Sequence, residues 1–247
     1  METYGLIGKK LSHSFSKSYF ENKFKSLGIH AKYLNFELAD IQQIQSLIED
    51  NPELKGLNVT IPYKKSVISL IDCVDPVVKE VGSVNTLKIE RSGHKKLVKG
   101  FNTDVIGFEE TLKPLLMGEK IAALILGTGG ASNAVSCVLN KLNIPFTFIS
   151  RSPRNHNQLD YTGLTPEMIQ SHHLIINTTP VGMYPIQDKA PNIPYEYLEE
   201  HHILYDLIYN PEETLFLKKG RKKGCSIMNG LKMLELQAEA SWHIWNV

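Results

Sequence analysis

The chain has 247 residues, a formal net charge of +1, and a composition of 42% hydrophobic and 21% charged residues. This length is enough for one large domain or two modest ones, and the composition is that of a soluble globular protein. The near-neutral charge gives no reason to expect binding to nucleic acid or to an acidic membrane surface.

The cysteines and the apolar runs further limit the class of protein to which the chain can belong. Cys73, Cys137 and Cys225 are far apart and odd in number, which indicates neither a disulfide framework nor a CxxC metal site. No apolar run approaches the roughly 18–20 residues that span a bilayer, and no basic-then-apolar leader is present. We therefore expect a soluble, cytoplasmic protein with reduced thiols, whose basic run at 218–223 is a solvated helix end.

The first hundred residues alternate short β-like runs with helical stretches. Helices are predicted at 16–27 and 41–48 from apolar residues at helical spacing. Strands are predicted at 4–8, 32–38, 54–60, 84–90 and 96–101. The last two flank Ser92 and Gly93, so they are predicted to form a hairpin. This order predicts an α/β domain with a partly antiparallel sheet.

A different pattern follows a predicted helix at 104–116. Residues 121–126 form a continuous apolar run, as expected of a buried parallel strand. Further elements are predicted as a helix at 132–142 and strands at 146–150, 174–177, 203–208 and 226–228. Strands separated by helices indicate a doubly wound parallel sheet, and the domain border lies near residue 104. An amphipathic helix is predicted at 231–245.

A glycine-rich loop joins the strand at 121–126 to the helix that follows it. Its residues are Gly127, Gly129, Gly130 and Ala131, with Ser132 in the place of the third glycine of GxGxxG. Such a loop lets the backbone approach a pyrophosphate, and the helix N-terminus supplies free N–H groups and a favourable dipole. The sequence therefore predicts a dinucleotide site.

The residues after the next strand bear on the choice of cofactor. NAD enzymes generally carry Asp or Glu there, whereas this chain has Ser150, Arg151 and Ser152, with Arg154 shortly after. A guanidinium and two hydroxyls suit a 2′-phosphate, which a carboxylate would repel. NADP is therefore predicted in preference to NAD.

Polar side chains follow several of the predicted strands in the first half. Asn58, Thr60, Asn85 and Asn102 lie at strand ends or in the loops after them, where α/β folds gather ligands. Serines at 12, 14 and 16 follow the first strand, either as helix caps or as hydroxyl donors to a ligand. Together they predict a pocket for a small polyhydroxylated substrate.

Lys64 and Asp104 are the charged residues inside these polar motifs. A structural salt bridge is one interpretation. The functional interpretation places Lys64 beside the reacting oxygen, with Asp104 orienting it and sharing a proton network. Lys65 would point elsewhere on a helix and is expected to face solvent.

These motifs resemble those of shikimate dehydrogenases, in order over nearly the whole chain. The matched segments are 8–17 (GxPxxHSxSP), 58–64 (NVTxPxK), 82–86 (GAVNT), 102–104 (NTD), 127–131 (GAGGA), 177–183 (NATxxGM), 206–214 (DxxYxPxxT) and 230–237 (GxxMLxxQ). Lys10 and Lys17 stand where prolines are usual, Val105 replaces a common glycine, and Thr128 replaces alanine.

The resemblance implies NADPH-dependent reduction of 3-dehydroshikimate to shikimate in aromatic amino-acid biosynthesis. The sequence leaves open whether the protein is a monomer or a homodimer. It implies that Lys64 donates the proton with Asp104 as its partner, leaving open which of the two is the formal acid–base. It implies a substrate and catalytic domain at 1–104 and 231–247 and a Rossmann-like NADP domain at 105–230, with the C-terminal helix returning to the first domain.

The resemblance also assigns binding residues by matched position. The substrate carboxylate would meet Ser14 and Ser16. The ring hydroxyls would meet, or the pocket would be lined by, Asn58, Thr60, Asn85, Asp104, Tyr209 and Gln237. The 2′-phosphate would meet Ser150, Arg151 and Ser152, and the other cofactor residues would be Gly127, Gly129, Gly130, Ala131, Thr178, Met183 and Gly230.

Three alternatives remain. The nearest is a quinate/shikimate dehydrogenase of broader cofactor use, and another is a non-catalytic relative that binds NADP or shikimate. The pair Lys64 and Asp104 speaks against the second, because binding alone would not require it. A metalloenzyme is disfavoured, because the pairs at 172–173 and 201–202 lack HExxH or Cys/His spacing and are predicted to be surface or strand-edge residues.

Overall fold

The computed structural model describes residues 1–11, 15–93, 95–116 and 121–247. The chain divides into two compact units. The first unit consists of Met1–Ile106 and Glu235–Val247, and the second consists of Gly107–Leu234. The first unit is therefore assembled from two separate stretches of sequence.

One mixed β-sheet organises the first unit. Its strands are β1 (Glu2–Gly8), β2 (Ala31–Glu37), β3 (Leu54–Val59), β4 (Cys73–Val74), β5 (Thr86–Ser92) and β6 (Lys95–Phe101). They lie in the order β2-β1-β3-β5-β6-β4. β1 is parallel to β2 and β3, whereas β5 is antiparallel to both β3 and β6. The predicted hairpin and the mixed sheet are both confirmed.

Side-chain caps mark the start of two helical segments in this part of the chain. The helices are α1 (Phe15–Leu27), α2 (Ile44–Asp50), α3 (Pro76–Val81) and α4 (Asp104–Leu112). A 3₁₀ turn leads into α2, and Asp40 caps it through the Gln42 amide. Asp75 caps α3, with proline in the first position, and α3 ends at Gly82 in the left-handed conformation (φ 69°).

The second unit contains a fully parallel six-stranded sheet. Its strands are β7 (Ala123–Leu126), β8 (Phe146–Ile149), β9 (Gln158–Leu159), β10 (Leu174–Asn177), β11 (Ile203–Asp206) and β12 (Ser226–Met228). The order is β12-β11-β10-β7-β8-β9. Counted along this unit, it is the 3-2-1-4-5-6 order of the Rossmann fold. The predicted doubly wound sheet is confirmed.

Three helices connect strands of this sheet, and all three differ from the sequence expectation. They are α5 (Gly130–Lys141), α6 (Pro166–Ser171) and α7 (Leu215–Arg221). The predicted start of α5 at residue 132 is wrong by two residues, because Gly129 serves as the N-cap. Neither α6 nor α7 was predicted. The basic run lies at the end of α7, where cations complement the helix dipole.

The two histidine pairs correct a sequence expectation. His202 is fully buried rather than a surface residue. Its Nδ1 accepts from the Glu199 amide over 2.9 Å, and its Nε2 lies 2.9 Å from the Ile169 carbonyl oxygen. The His201 and His202 rings stack with centroids 4.3 Å apart. The Nε2 atom of His202 thus contacts α6, whereas its Nδ1 atom fixes the segment just before β11.

The last helix, α8 (Leu231–Asn246), packs its C-terminal part into the core of the first unit. The Trp245 ring stacks on Tyr4 with centroids 4.9 Å apart and lies 5.2 Å from Phe20. Trp245 Nε1 donates to the Leu87 carbonyl over 2.9 Å. The expected return of the C-terminal helix to the first domain is confirmed. No helix among the described residues is long and apolar enough to cross a membrane.

Replacing Gly56 by alanine is expected to destabilise the first unit. A Cβ atom there would overlap the indole of Trp245, which is buried and held by its hydrogen bond to Leu87. Overpacking of this kind costs roughly 1–3 kcal/mol. Urea unfolding followed by tryptophan fluorescence measures it, because both tryptophans lie in α8.

The matched control for this variant is Gly56→Ala in a Trp245→Phe background. The smaller ring leaves space for the methyl group, so the cost of Gly56→Ala should shrink there. An equal cost in both backgrounds would show that the indole is not what excludes a side chain at position 56.

Candidate functional site

An ion pair lies at the carboxyl end of the first unit's central strands. Lys64 Nζ is 2.7 Å from Asp104 Oδ2. The lysine side chain is 30% exposed and the aspartate side chain 9% exposed, so solvent reaches the ammonium more readily than the carboxylate. The predicted neighbours are therefore in contact.

Lys64 is held from the backbone. The chain leaves β3 at Val59, turns through Thr60, and the Lys64 carbonyl accepts the Val84 amide over 2.7 Å. The neighbouring Tyr63 is buried and donates its hydroxyl to the Leu38 carbonyl over 2.6 Å. Lys65 is exposed, as predicted. The turn thus fixes the base of the Lys64 side chain while its ammonium stays partly accessible.

Asp104 is the first residue of α4, where a carboxylate is stabilised by the helix dipole. Asn102 fixes the turn before it. Its Oδ1 accepts the Val105 amide over 3.2 Å, and its Nδ2 donates to the Ser83 carbonyl over 2.9 Å. Asn102 is 4% exposed. The buried Asn102 side chain therefore fixes the start of α4. The sequence analysis had grouped Asn102 with the substrate residues.

Asn85 lies beside this turn and is fixed at its oxygen. Its Oδ1 accepts the Thr103 amide over 2.7 Å and the Thr86 hydroxyl over 3.2 Å. Within the described residues its Nδ2 has no hydrogen-bond partner. One end of the carboxamide therefore serves the fold, and the other is available to a ligand.

A buried serine of α8 joins this cluster from the far end of the chain. Ser241 Oγ is 2.8 Å from Thr86 Oγ1 and accepts from Asn58 Nδ2 over 2.9 Å. It also donates to the Gln237 carbonyl over 2.9 Å. Asn58 Oδ1 accepts the Tyr33 hydroxyl over 2.8 Å. We define the Ser241 knot as Asn58, Asn85, Thr86, Thr103 and Ser241.

The other predicted substrate residues are placed as follows. Thr60 is half-buried in the turn after β3, and Gln237 is half-buried one helical turn before Ser241. Ser16 is the second residue of α1 and bonds to the Tyr33 hydroxyl, which in turn reaches Asn58. Ser14, with Ser12 and His13, lies outside the described residues. Sequence reasoning missed Ser241, since no motif marks it.

The glycine loop of the second unit is open where a phosphate would approach. Gly127 has φ 108°, and a Cβ there would lie 2.8 Å from Thr178 Oγ1. Gly129 is the N-cap of α5, and Gly130 and Ala131 begin the helix. No described atom lies within 4 Å of a Cβ built at Gly129 or Gly130. The exposed helix N-terminus fits a pyrophosphate.

A cavity of about 960 Å³ opens beside this loop. Its walls include Gly127, Gly129, Ser150, Arg151, Ser152, Arg154 and Thr178. Arg151 is exposed, and Ser150 Oγ accepts the Ser152 amide over 3.2 Å. A guanidinium and two hydroxyls in a roomy cavity next to a free helix N-terminus fit NADP.

The remaining predicted cofactor residues do not line this cavity. These are Gly130, Ala131, Met183 and Gly230. Met183 is exposed, whereas Gly230 is buried so tightly that a Cβ would overlap the Leu207 carbonyl. The cavity also includes Gln158, Asp160, Tyr161 and Asn192, which sequence reasoning missed. The first three lie in or directly after the two-residue strand β9, which is too short to show a periodic pattern.

Asp206 organises the loop that carries Tyr209. Its carboxylate accepts from Asn177 Nδ2 over 3.0 Å, from the Ile208 amide over 3.1 Å and from the Thr214 hydroxyl over 2.6 Å. It is fully buried, and burial raises its pKa to about 6 against these bonds, which lower it. Tyr209 is 39% exposed. Asp206 therefore acts as a structural anchor at the end of β11.

Comparison with known proteins gives a match to part of the first unit and matches to nearly the whole chain. Residues 6–87 match a family model described as the shikimate dehydrogenase substrate binding domain. A shikimate dehydrogenase (NADP(+)) of Methanococcus maripaludis is 38% identical to this chain, over 98% of this chain and 90% of that protein. The chain belongs to the shikimate dehydrogenase family.

Solved structures of the shikimate dehydrogenase family share the fold. The Aquifex aeolicus shikimate dehydrogenase is 32% identical, with a TM-score of 0.85 over 99% of this chain and 92% of that one. A Thermus thermophilus shikimate 5-dehydrogenase, crystallised with NADP(H) and shikimate, is 27% identical. Its TM-score is 0.85, over 99% of this chain and 93% of that one.

Replacing Asp206 by asparagine is expected to change how stability depends on pH. Because the folded pKa of about 6 lies above the ordinary 3.8, the fold favours the protonated carboxyl. The wild type therefore loses stability as pH rises from about 4 to about 6, and asparagine does not titrate. Relative to the wild type, the free energy of unfolding of the variant should increase by roughly 1–3 kcal/mol between pH 4 and pH 6. Above that interval the difference should not change further.

Urea unfolding followed by circular dichroism at several pH values measures this difference. Asparagine keeps an oxygen acceptor for the Ile208 amide but replaces the other oxygen by an N–H donor, so only the pH-dependent part of the difference reports the titration of Asp206. A stability difference that stays constant from pH 4 to pH 7 would contradict a raised pKa at Asp206.

Proposed function

We propose that this chain is an NADP-dependent shikimate dehydrogenase, which catalyses the reversible reduction of 3-dehydroshikimate to shikimate on the chorismate route to aromatic amino acids. The observation that carries the proposal is the contact between Lys64 and Asp104 beside the Ser241 knot. A proton donor next to a set of amides and hydroxyls suits a carbonyl on a polyhydroxylated ring.

The substrate would be oriented by side chains whose other ends are already fixed. Asn85 offers Nδ2 to a ring hydroxyl because Thr103 holds its oxygen. Asn58 Oδ1, which accepts from Tyr33, retains a lone pair for a second donor. Thr60 and Gln237 line the pocket, and Ser14 and Ser16 bind the substrate carboxylate. Fixing one end of each carboxamide limits the rotamer freedom lost on binding.

In the proposed proton step, the Lys64 ammonium donates to the C3 oxygen of the substrate. The ammonium is held 2.7 Å from Asp104, whose negative charge balances it before the transfer. After the transfer, the neutral Lys64 amine regains a proton from solvent, to which it is partly open. In the oxidation direction, the neutral amine accepts the proton from the substrate hydroxyl.

NADPH, when bound, supplies the hydride that reaches C3. The chain's own part is to hold it: the α5 N-terminus and Gly127–Ala131 bind the pyrophosphate, and Thr178 lines the same cavity. Ser150, Arg151 and Ser152 bind the 2′-phosphate. Met183 and Gly230 would contact the nicotinamide, and Tyr209 would contact the substrate.

The proposal also assigns a ligand to each domain and a cellular location to the protein. Residues 1–104 and 231–247 bind the substrate, and residues 105–230 bind NADP. The enzyme acts on a small molecule in the cytoplasm, as a monomer or homodimer.

The direct test is NADPH oxidation at 340 nm with 3-dehydroshikimate, and in reverse with shikimate beside quinate. Turnover with NADPH and shikimate in clear excess over quinate supports the proposal. Equal rates on quinate would move the chain to the broader quinate/shikimate class. Cofactor binding without any turnover would favour a non-catalytic binding protein.

Replacing Lys64 by alanine is expected to lower kcat by about 10²–10⁴, because the reaction loses its general acid. KM should change much less, since the knot that binds the ring is untouched. Steady-state kinetics with 3-dehydroshikimate and NADPH provide the measurement. The exposed neighbour Lys65→Ala is the matched control and should retain wild-type kcat. Wild-type turnover by the Lys64 variant would remove its role.

Replacing Ser241 by alanine is expected to raise KM for 3-dehydroshikimate roughly tenfold, with kcat lowered less. The change removes the shortest contact of both the Asn58 Nδ2 amide and the Thr86 hydroxyl, so the Asn58 carboxamide is held less firmly. Ser46→Ala, which deletes an exposed hydroxyl bonded to Gln43, is the control. An unchanged KM in the folded Ser241 variant would refute the orienting role of the knot.

A further inference from the structure

An acidic side chain lies next to the predicted 2′-phosphate residues, although it is distant from them in sequence. Strand β9 pairs in parallel with β8, with Ile149 opposite Leu159. The Ser150 amide donates to the Leu159 carbonyl over 2.8 Å. The register therefore sets Asp160 beside Ser150 on the adjacent strand, at about the 4.8 Å spacing of neighbouring strands.

This neighbour exists because the connection from β8 to β9 is short. Residues 150–157 are all described, and they contain bends and turns but no helix. The end of β9 therefore reaches the edge of the cavity that also holds Arg151 and Ser152. Tyr161, the next residue, lies close enough to Arg151 for the guanidinium to lower the tyrosine pKa against the effect of burial.

The two oxygens of Asp160 differ in their surroundings. Oδ1 caps a 3₁₀ turn, accepting the Thr162 amide over 2.9 Å and the Thr162 hydroxyl over 2.7 Å. Across the described chain, Oδ2 has no hydrogen-bond partner. The bonds from Thr162 lower the pKa of Asp160, so it is ionised at neutral pH. Capping the turn needs one oxygen only, and the other remains as a charged acceptor in the cavity wall.

Arg151 and Asp160 offer opposite chemistry to the same part of a bound dinucleotide. A guanidinium binds a phosphate, and a carboxylate accepts a hydrogen bond from a ribose hydroxyl. In common Rossmann domains that carboxylate stands at the end of the second strand. Here serine occupies that place, and the acid stands at the end of the third strand.

We propose that Asp160 is a specificity-determining residue that gives this chain a second cofactor: its Oδ2 accepts the adenosine 2′-hydroxyl of NAD, while Arg151 and Ser152 bind the 2′-phosphate of NADP. The inference rests on the proposed function for the location of the adenosine. It extends that function from one cofactor to two.

The test is isothermal titration of the full chain with NAD⁺ and with NADP⁺, which needs no substrate turnover. In Asp160→Asn, the dissociation constant for NAD⁺ should rise about tenfold, because an amide nitrogen replaces the charged acceptor. The dissociation constant for NADP⁺ should stay within about twofold or fall, since a negative charge near its phosphate is removed. Arg151→Ala should show the opposite pattern.

Thr162→Val is the matched control. It deletes the hydroxyl that Oδ1 accepts but leaves Oδ2 and the amide cap in place. Both dissociation constants should then match those of the wild type. Asparagine also caps turns well, so the Asp160 variant is expected to fold, and thermal melting checks this.

Three results would overturn the inference. They are equal weakening of both cofactors in Asp160→Asn, no change in either, and a wild type that binds NADP⁺ but not NAD⁺. If Thr162→Val reproduced the effect of Asp160→Asn, the turn and not the carboxylate would be responsible. Failure of the wild type to bind either cofactor would instead refute the proposed function together with this inference.

Discussion

The hydrogen bond from the Thr103 amide to Asn85 Oδ1 joins the start of α4 to the start of β5 at a distance of 2.7 Å. Both residues are buried, so neither group can turn to water without a large desolvation cost. This bond sets the orientation of the Asn85 carboxamide and, one residue later, the position of Asp104. The position of Lys64 is then fixed by its ion pair with Asp104 and by the backbone hydrogen bond from the Val84 amide. The geometry of the proton-transfer pair therefore depends on an uncharged contact behind it.

Much of the fold could be predicted from the sequence because long elements carry a strong period. The strands β1, β3 and β7 and the helix α8 all lie where apolar spacing placed them. The two-residue strands β4 and β9 were not predicted, because two residues are too few to show a period. Such a strand forms only when a neighbouring strand supplies hydrogen bonds. The short helices α3, α6 and α7 were not predicted for a related reason. Their stability comes from caps and tertiary packing, which leave no long periodic pattern in the sequence.

The residues of the candidate site also differ in whether a local sequence pattern marks them. Lys64, Asp104 and Asn85 stand in compact polar motifs, which is why the sequence pointed to them. Ser241 and Asp160 stand in no motif, and each reaches its neighbours only through strand register or helix return. Burial can also be mispredicted: His202 was expected at the surface or a strand edge, whereas it is fully buried. Tertiary partners, which no local pattern encodes, decide such cases.

The return of α8 to the first unit has a consequence for synthesis on the ribosome. Residues 107–234 form one continuous stretch, so the second unit can fold as soon as that stretch has emerged. The N-terminal sheet is made first but lacks the indole of Trp245, around which Tyr4 and Phe20 pack. The earliest-made half of the protein is thus completed last. Until then, the aromatic face of β1 and α1 is the surface that a nascent-chain chaperone would have to shield.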